Sequence, residues 1–167
     1  MRIIFVGVLF LGSTAFANAL GDLPKQPILN LATARGMIAA CEGKASAAGK
    51  PVSIAVLDEG GHLIAFDRMD EVRWATVDAA QGKARTALMT GRPSREVMDR
   101  IAAGAVQMLT IPGVTPMPGG LPIWAEGSLI GAIGVGGSLP DEDEACARAG
   151  VSAAGLATDR GEGAHHK

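Results

Sequence analysis

Stretches of helical apolar spacing alternate in this chain with pairs of short apolar runs, and this order limits the possible folds more than any other feature. Two of the helical stretches carry clear three-four spacing, which places their apolar residues on one face of a helix. Asn30 is a suitable cap for the first helix, and residues 49–51 end it with Gly-Lys-Pro. The apolar faces are formed by Leu31, Ala34, Ile38, Cys41, Ala45 and Ala48 in the first helix, and by Cys146, Ala149, Ala153 and Leu156 in the last.

Two β-hairpins are predicted between these helices. In the first, residues 52–58 and 62–69 flank the turn Glu-Gly-Gly; in the second, residues 121–125 and 129–135 flank Glu-Gly. Two further helices lie between the hairpins, one over residues 74–89 and one from Ser94 to about Ala105. The order helix, hairpin, two helices, hairpin, helix predicts an α+β domain built on an antiparallel sheet.

Small residues make up much of this predicted core. The 167 residues include 29 Ala and 23 Gly, against four Phe, two Trp and no Tyr. A core of this kind is expected to close by tight small-residue packing and by contacts between subunits. The run from Gly131 to Gly137 marks a bulge or the close approach of another backbone or of a ligand. It does not fit a dinucleotide loop, because Leu139 stands where the third glycine of G-x-G-x-x-G belongs.

The first nineteen residues have the layout of a secretory signal peptide. Arg2 supplies a positive charge, an apolar run follows, and two A-x-A sites allow cleavage after Ala17 or Ala19. We therefore expect one domain over residues 20–160, a flexible tail over 161–167, and a periplasmic or secreted protein free of the membrane after cleavage. The net charge of −2 gives no reason to expect a nucleic-acid partner.

Export makes the two cysteines, Cys41 and Cys146, candidates for a disulfide, because an oxidising compartment permits one. Their spacing matches no metal or haem-attachment motif. Both lie on apolar helix faces, so two buried free thiols are the other interpretation. The sequence leaves both open.

Side chains suited to catalysis are scarce. There is no G-x-S-x-G motif, and of the three histidines His165 and His166 lie in the tail, so neither a hydrolase nor a protein-bound metal centre is indicated. Lys83 lies three residues before Thr86 in an Ala-rich helix, which makes them neighbours. They are either an exposed lysine with a threonine bonded to its own helix, or a cation and a hydroxyl at the rim of a pocket.

Seven segments, read in order, resemble the haem-binding GlcG/HbpS family. The resemblance extends from about residue 29 to about residue 156. The segments are PVSIAVLD at 51–58, GHL at 61–63, RMD at 68–70, KARTA at 83–87, GGLPI at 119–123, GAIGVGG at 131–137 and DEACARAG at 143–150.

The resemblance implies an α+β fold with a five-stranded antiparallel sheet and flanking helices, a layout like that of profilin and roadblock domains, in a homo-oligomer. The strand that the pattern alone lacks would lie near residues 115–117. Family members bind haem, some degrade it, and others accompany oxidative pathways. The polar and turn positions of the family map onto Arg68, Asp70, Lys83, Thr86, Gly119, Gly120 and Pro122, which are the expected cofactor-binding residues.

An iron ligand is less clearly indicated than the rest of the pocket. His62 and Met69 are candidates and Met117 is another, while Arg68 or Lys83 would pair with haem propionates. After signal cleavage Phe66, Trp74 and Trp124 are the remaining aromatic side chains, so any haem is expected to be held without aromatic stacking.

Three functions follow as hypotheses. The first is an exported, oligomeric protein that binds haem or a similar small cofactor. An accessory role beside an oxidative pathway is one form of this function. The second is a non-catalytic scaffold or accessory subunit with an interface in place of a pocket. The third is an enzyme that acts on a small acid through Lys83, Arg68 and Asp70, and the sequence does not decide whether any reaction is catalysed.

Overall fold

The computed structural model describes residues 25–161 and shows helices on both faces of a four-stranded antiparallel sheet. The predicted signal peptide and residues 162–167 of the predicted tail lie outside the described residues. The elements are α1 (Leu31–Ala47), β1 (Ser53–Asp58), β2 (Leu63–Arg68), α2 (Ala75–Thr90), α3 (Ser94–Ala102), a 3-10 helix (Val106–Thr110), β3 (Gly120–Ala125), β4 (Ser128–Gly136) and α4 (Pro140–Ala153). Within the described residues, no helix is long and apolar enough to cross a membrane.

The sheet confirms the antiparallel α+β prediction, but the expected number of strands is wrong. Its order is β2-β1-β4-β3, so the two hairpins meet through β1 and β4 in its centre. Residues 115–117 form no strand, because their backbone groups bond to helix side chains instead. The Thr115 N–H donates to Thr86 Oγ1 at 2.8 Å, and the Met117 carbonyl accepts from Ser94 Oγ at 2.6 Å.

The two faces of the sheet are covered by helical layers that differ in the size of their packed side chains. Helices α1 and α4 pack together on one face, and α2 packs on the other over β4, β1 and β3. The α1–α4 side holds the larger apolar side chains, including Met37, Ile54 and Ile133. On the α2 side the core is small, with Ala84, Ala87 and Ala132 around Leu57.

Glycines in β4 allow α2 to lie close to the sheet. A Cβ on Gly134 would stand 2.1 Å from the Ala80 carbonyl oxygen and 2.5 Å from the Ala84 nitrogen, inside van der Waals contact. Any side chain at this position would push the helix away. The prediction of close backbone approach in the segment 131–137 is therefore confirmed, and so is tight small-residue packing.

A disulfide joins the two helices of the α1–α4 layer. Cys41 and Cys146 are bonded with their Cα atoms 4.7 Å apart, within the range that a disulfide allows, and both residues are buried. Of the two interpretations that the sequence leaves open, the structure has the disulfide. It closes a loop between positions separated by 105 in sequence, so it restricts most of the described chain when unfolded.

Reduction of this disulfide is expected to destabilise the protein by about 2–4 kcal/mol, because a long loop regains its freedom in the unfolded state. Urea denaturation of the purified protein with and without dithiothreitol measures the difference. The double variant Cys41→Ala/Cys146→Ala is the control, and its urea midpoint should be the same with and without dithiothreitol. Equal midpoints for the oxidised and reduced wild-type protein would contradict the prediction.

Candidate functional site

Lys83 is buried within the protein, with 2% of its surface exposed. Its Nζ donates to Asp143 Oδ2 at 2.7 Å and to the Val135 carbonyl oxygen at 2.9 Å. The side chain thus runs from α2 past the end of β4 to α4 on the opposite face of the sheet. Both earlier interpretations, an exposed lysine and a cation at a pocket rim, are wrong, because the chain has a buried partner for this charge.

Gly119 and Gly120 make room for this lysine. A Cβ on Gly119, whose φ is +119°, would lie 3.0 Å from Lys83 Nζ and 2.7 Å from the Val135 carbonyl oxygen. A Cβ on Gly120 would lie 2.1 Å from the Lys83 carbonyl oxygen. The structure therefore gives these glycines a packing role around the ion pair, and Pro122 is buried two residues further along β3.

Asp143 is the partner that sequence reasoning missed. It is 2% exposed and also accepts from the Ser138 N–H at 3.0 Å. Burial raises the pKa of the Asp143 carboxyl above its ordinary value, while the Lys83 ammonium and the Ser138 amide act in the opposite direction. The spacing of α4 could have identified Asp143 as buried. It precedes Cys146, Ala147 and Gly150 at three-four spacing and so lies on the buried face of the helix.

Thr86 and Ser94 organise the loop that precedes β3. Thr86 Oγ1 donates to the Gly82 carbonyl at 2.8 Å, the back-bonding that the sequence allows, and also accepts from Thr115. Ser94 Oγ accepts from the Gly120 N–H at 2.9 Å as it donates to Met117. Ser94 is buried at the start of α3, where the sequence predicted a helix cap alone. Both hydroxyls are thus used in internal hydrogen bonds.

Arg68 and Asp70 stand apart from this buried group. Both are exposed at the end of β2, the edge strand, and neither makes an ion pair within residues 25–161. The structure therefore brings Lys83, Gly119 and Gly120 together and leaves Arg68 and Asp70 elsewhere. A constellation of Lys83, Arg68 and Asp70 that handles a small acid does not form.

The three candidate iron ligands differ in their surroundings. Met69 is half-buried, packs against the apolar core, and its sulfur accepts from the Val52 N–H at 3.4 Å. Met117 is 44% exposed. The His62 side chain is 83% exposed, and its Nδ1 lies 3.4 Å from Asp58 Oδ1. Among these three, His62 combines an exposed side chain with a carboxylate beside one ring nitrogen.

A shallow depression of about 360 Å³ lies against the β1–β2 turn, whose Gly60 and Gly61 directly precede His62, and we call it the shelf. It is bounded by the β1–β2 turn on one side and by Arg85 of α2. The residues that line the shelf are Glu59, Gly60, Gly61, Arg85, Leu88, Met89, Pro112 and Leu129. Its floor is apolar, and Met89 is 49% exposed there.

A second, larger cleft of about 500 Å³ lies between the C-terminal end of α1 and the N-terminal end of α4. Its lining is mostly small and apolar, with Lys44 and Lys50 among the polar members. Lys50 forms an ion pair with Glu142, and this contact together with the Ser138 hydroxyl lowers the pKa of Glu142 to about 2. No histidine, methionine or tyrosine lines this cleft. Within the described part of the chain, no group of three His, Cys, Asp or Glu residues could hold a metal ion.

Replacement of Lys83 by Met is expected to destabilise the fold by about 3–5 kcal/mol, because it leaves the Asp143 carboxylate buried without a partner. The double variant Lys83→Met/Asp143→Leu should recover much of this loss, because it removes both charges. Urea denaturation measures the free energy of unfolding, with Arg85→Met on the exposed face of α2 as the matched control. A single variant as stable as the control would show that the pair is not buried as described.

Comparison of the chain with known proteins identifies its family. The model of the HbpS-like family, described as haem degrading protein HbpS-like, matches residues 29–152. Protein GlcG of Escherichia coli K12 is 38% identical over 108 residues, which cover 65% of this chain and 81% of GlcG.

Solved structures agree in fold. The crystal structure of HbpS is 33% identical with a TM-score of 0.73, and the match covers 79% of this chain and 94% of HbpS. The crystal structure of a PduOC–haem complex has a TM-score of 0.75 and covers 80% of this chain and 99% of PduOC; at 23% identity it shows likeness of fold alone. The resemblance read from seven sequence segments is confirmed: the chain belongs to the HbpS-like family.

Proposed function

We propose that this protein binds haem on the shelf, with His62 as the iron ligand. Haem is the cofactor to consider because the family is described as haem degrading and a protein of the same fold, PduOC, has been crystallised with haem. Of the two depressions described above, the shelf is the one whose lining adjoins a histidine in sequence, since Gly61 precedes His62. The exposed imidazole of His62 is the observation that carries the proposal.

His62 has the surroundings that metal-binding histidines need. Asp58 Oδ1 accepts from the His62 backbone N–H at 2.8 Å and lies near Nδ1, so the carboxylate fixes the residue and favours a proton on Nδ1. The neutral imidazole then presents Nε2 as the free donor to a metal. Histidine is among the usual haem ligands, whereas the sulfur of Met69 already accepts from the backbone N–H of Val52, the residue before β1.

The shelf also offers the two other features that haem requires. Leu88, Met89 and Leu129 supply an apolar surface without aromatic stacking, and Arg85 supplies a cation for a propionate. Arg85 makes no ion pair within residues 25–161, so its guanidinium is available. Bound haem would supply an iron centre for electron or oxygen chemistry, and this chain would hold it at the protein surface.

Haem binding is expected to be saturable and to depend on both the metal and His62. Titration of the protein with hemin, followed by the Soret band, should give a shifted spectrum at one haem per chain. His62→Ala should weaken binding about tenfold or more, and metal-free protoporphyrin should bind poorly, because neither can form the iron–imidazole bond. Arg85→Gln should weaken binding less, and Arg100→Gln, an exposed arginine of α3, should not change it.

The tail histidines require their own control. His165→Ala/His166→Ala serves as the background for every variant, so that ligation by the tail cannot imitate ligation by His62. The proposal fails if hemin causes no Soret shift. It also fails if hemin and protoporphyrin bind equally well and His62→Ala has no effect, a result that points to the α1–α4 cleft with Lys44 and Lys50 as the porphyrin site.

Export and self-association are the other parts of the proposal. The disulfide supports export, because such bonds persist in oxidising compartments. Exposed apolar side chains support self-association: Val106, Leu109 and Ile111 follow one another on and after the 3-10 helix and are 62%, 57% and 40% exposed. A second copy of this chain is the partner that would cover them. The scaffold alternative uses the same surface as an interface with no bound cofactor.

Self-association through this segment is expected to be lost in the double variant Leu109→Glu/Ile111→Glu, because charges at the interface remain unpaired. Size-exclusion chromatography with light scattering measures the mass of the wild-type protein, expected to be a multiple of the chain mass at micromolar concentration. Ile28→Glu adds a charge at another exposed apolar position and should leave the mass unchanged. A monomeric wild-type protein would contradict the proposal.

A further inference from the structure

The strand β2 lies at one edge of the sheet, and no other strand of the described residues pairs with its outer side. The N–H of Met69, the residue after β2, donates inward to the Val52 carbonyl at 3.1 Å. Because the backbone groups of a strand point to alternate sides, those of Asp67 also point towards β1, and those of Phe66 and Arg68 point outwards. The outer edge of β2 therefore presents a donor and an acceptor at each of these two positions.

A groove of about 450 Å³ lies between this edge strand and α1, and we call it the edge groove. Its lining consists of one face of α1, from Leu31 to Glu42, and four consecutive residues of β2, from Ile64 to Asp67. The middle of the groove is apolar, and Leu31 at one end is 43% exposed. A further strand with its own helix is the kind of structure that would cover such a surface.

Two charged side chains of α1 line the edge groove and do not pair with each other. Arg35 and Glu42 are seven positions apart, which is about 10 Å along a helix. Neither makes an ion pair within residues 25–161. Burial and the nearby Asp67 carboxylate raise the pKa of Glu42 above its ordinary value. Among the described residues, Glu42 thus has a like charge beside it and no cation, whereas Arg35, two turns earlier, has no anion.

Helix α1 and strand β2 run side by side in the same direction. Leu29, just before α1, lies near Gly131, which is paired with Asp58 at the β1–β2 turn where β2 begins. At the other end, Glu42 lies near Asp67, close to the end of β2. Positions along the helix can therefore be matched to positions along the strand.

The point midway between the two charges of α1 lies near Phe66. Half the separation of Arg35 and Glu42 is about 5 Å, which is the rise of between one and two strand residues. Counted back from Asp67, this point falls between Ala65 and Phe66. A twofold axis at Phe66 would therefore place Arg35 of one copy beside Glu42 of a second copy, and it would place the outward backbone groups of the two Phe66 residues opposite each other.

The helical layer has the spacing that this arrangement requires. Helix α1 lies over β1 and β2, as α4 lies over β4 and β3, so each helix covers two strands. Two strand spacings are about 10 Å, which is also the distance between packed helices. If β2 of a second copy continued the sheet, the two α1 helices would be two strand spacings apart. They would pack against each other as α1 packs against α4.

We propose that two copies of this chain join through β2 in an antiparallel pair centred on Phe66. The sheet then continues through the four strands of each copy, and the two Phe66 residues exchange both backbone hydrogen bonds. On the helix face, Arg35 of each copy lies beside Glu42 of the other. This interface uses neither the 3-10 segment nor the shelf, and it does not depend on haem binding.

The other face of the sheet is consistent with this register. Phe66 pairs with Ala55, which lies between Ile54 and Val56 of the α1–α4 core, so the Phe66 ring is on the opposite face. There the two rings would pack across the axis as an aromatic pair. The next register that pairs the outward groups would place Asp67 opposite Asp67, and like charges directly opposite each other are destabilising.

Reversal of the two charges tests the pairing. In the background Leu109→Glu/Ile111→Glu, which removes the apolar 3-10 surface, light scattering should give twice the mass of one chain at micromolar concentration. Arg35→Glu should weaken this dimer about tenfold or more, because an acid then faces Glu42 of the other copy. Arg35→Glu/Glu42→Arg should restore it, since each charge again meets its opposite. Arg100→Glu, at an exposed position of α3, is the matched control and should leave the dimer unchanged.

Cross-linking tests the register. Phe66→Cys introduces one reactive thiol, because both natural cysteines are joined in the disulfide. A short bis-maleimide should link two copies of this variant, since the paired Cα atoms are expected about 5.5 Å apart. In Leu63→Cys, on the same strand and face, the two positions would lie about 20 Å apart, so cross-linking should be slight. Melting temperatures confirm that both variants are folded.

Three results would overturn the inference. The first is a monomeric background variant, which would mean that another part of the chain or a different protein covers the edge of β2. The second is an Arg35→Glu dimer as tight as its parent, and the third is equal cross-linking of the two cysteine variants. The 3-10 surface is judged separately, by the change in mass that Leu109→Glu/Ile111→Glu causes in the wild-type protein, so either interface can fail without the other.

Discussion

The ion pair between Lys83 and Asp143 connects the two helical layers of this protein around the end of its sheet. Both side chains are 2% exposed, so each charge is stabilised chiefly by the other and by hydrogen bonds to Val135 and Ser138. The free energy needed to remove two charges from water is large, and it is offset only when the buried charges lie close together and their remaining hydrogen bonds are made. This requirement explains the type of several neighbouring residues. Two glycines leave space for the lysine, and two buried hydroxyls hold the adjoining loop.

The α2 layer and the α1–α4 layer achieve close packing in different ways. On the α2 side, alanines of the helix meet glycines of β4 at backbone distance, so the sheet and helix are held by many short contacts between small atoms. On the other side, larger aliphatic side chains fill the core and the disulfide fixes the two helices. The scarcity of aromatic residues is therefore consistent with a well-packed interior.

Much of the fold followed from local patterns, whereas the site residues did not. The stripe from Leu31 to Ala48 and the turns at Gly60-Gly61 and Glu126-Gly127 depend on spacing and turn chemistry, which are local properties of the chain. The role of Lys83 depends on a partner 60 positions away, which no local pattern specifies. The same is true of residues 115–117: the resemblance implied a strand there, but Thr86 and Ser94 hold their backbone groups. Of the family positions, Lys83, Gly119 and Gly120 lie together around a buried ion pair, and a motif alone does not distinguish such a pair from a binding site.

The disulfide also determines how the protein would respond to mechanical force. A pull applied between Leu29 and Ala157 would be transmitted from α1 to α4 through the covalent Cys41–Cys146 bond. The whole sheet, together with α2 and α3, lies in the loop that this bond closes and would bear little of the load. Such a force would extend the two short segments outside the bond and leave the shelf and the buried ion pair undisturbed.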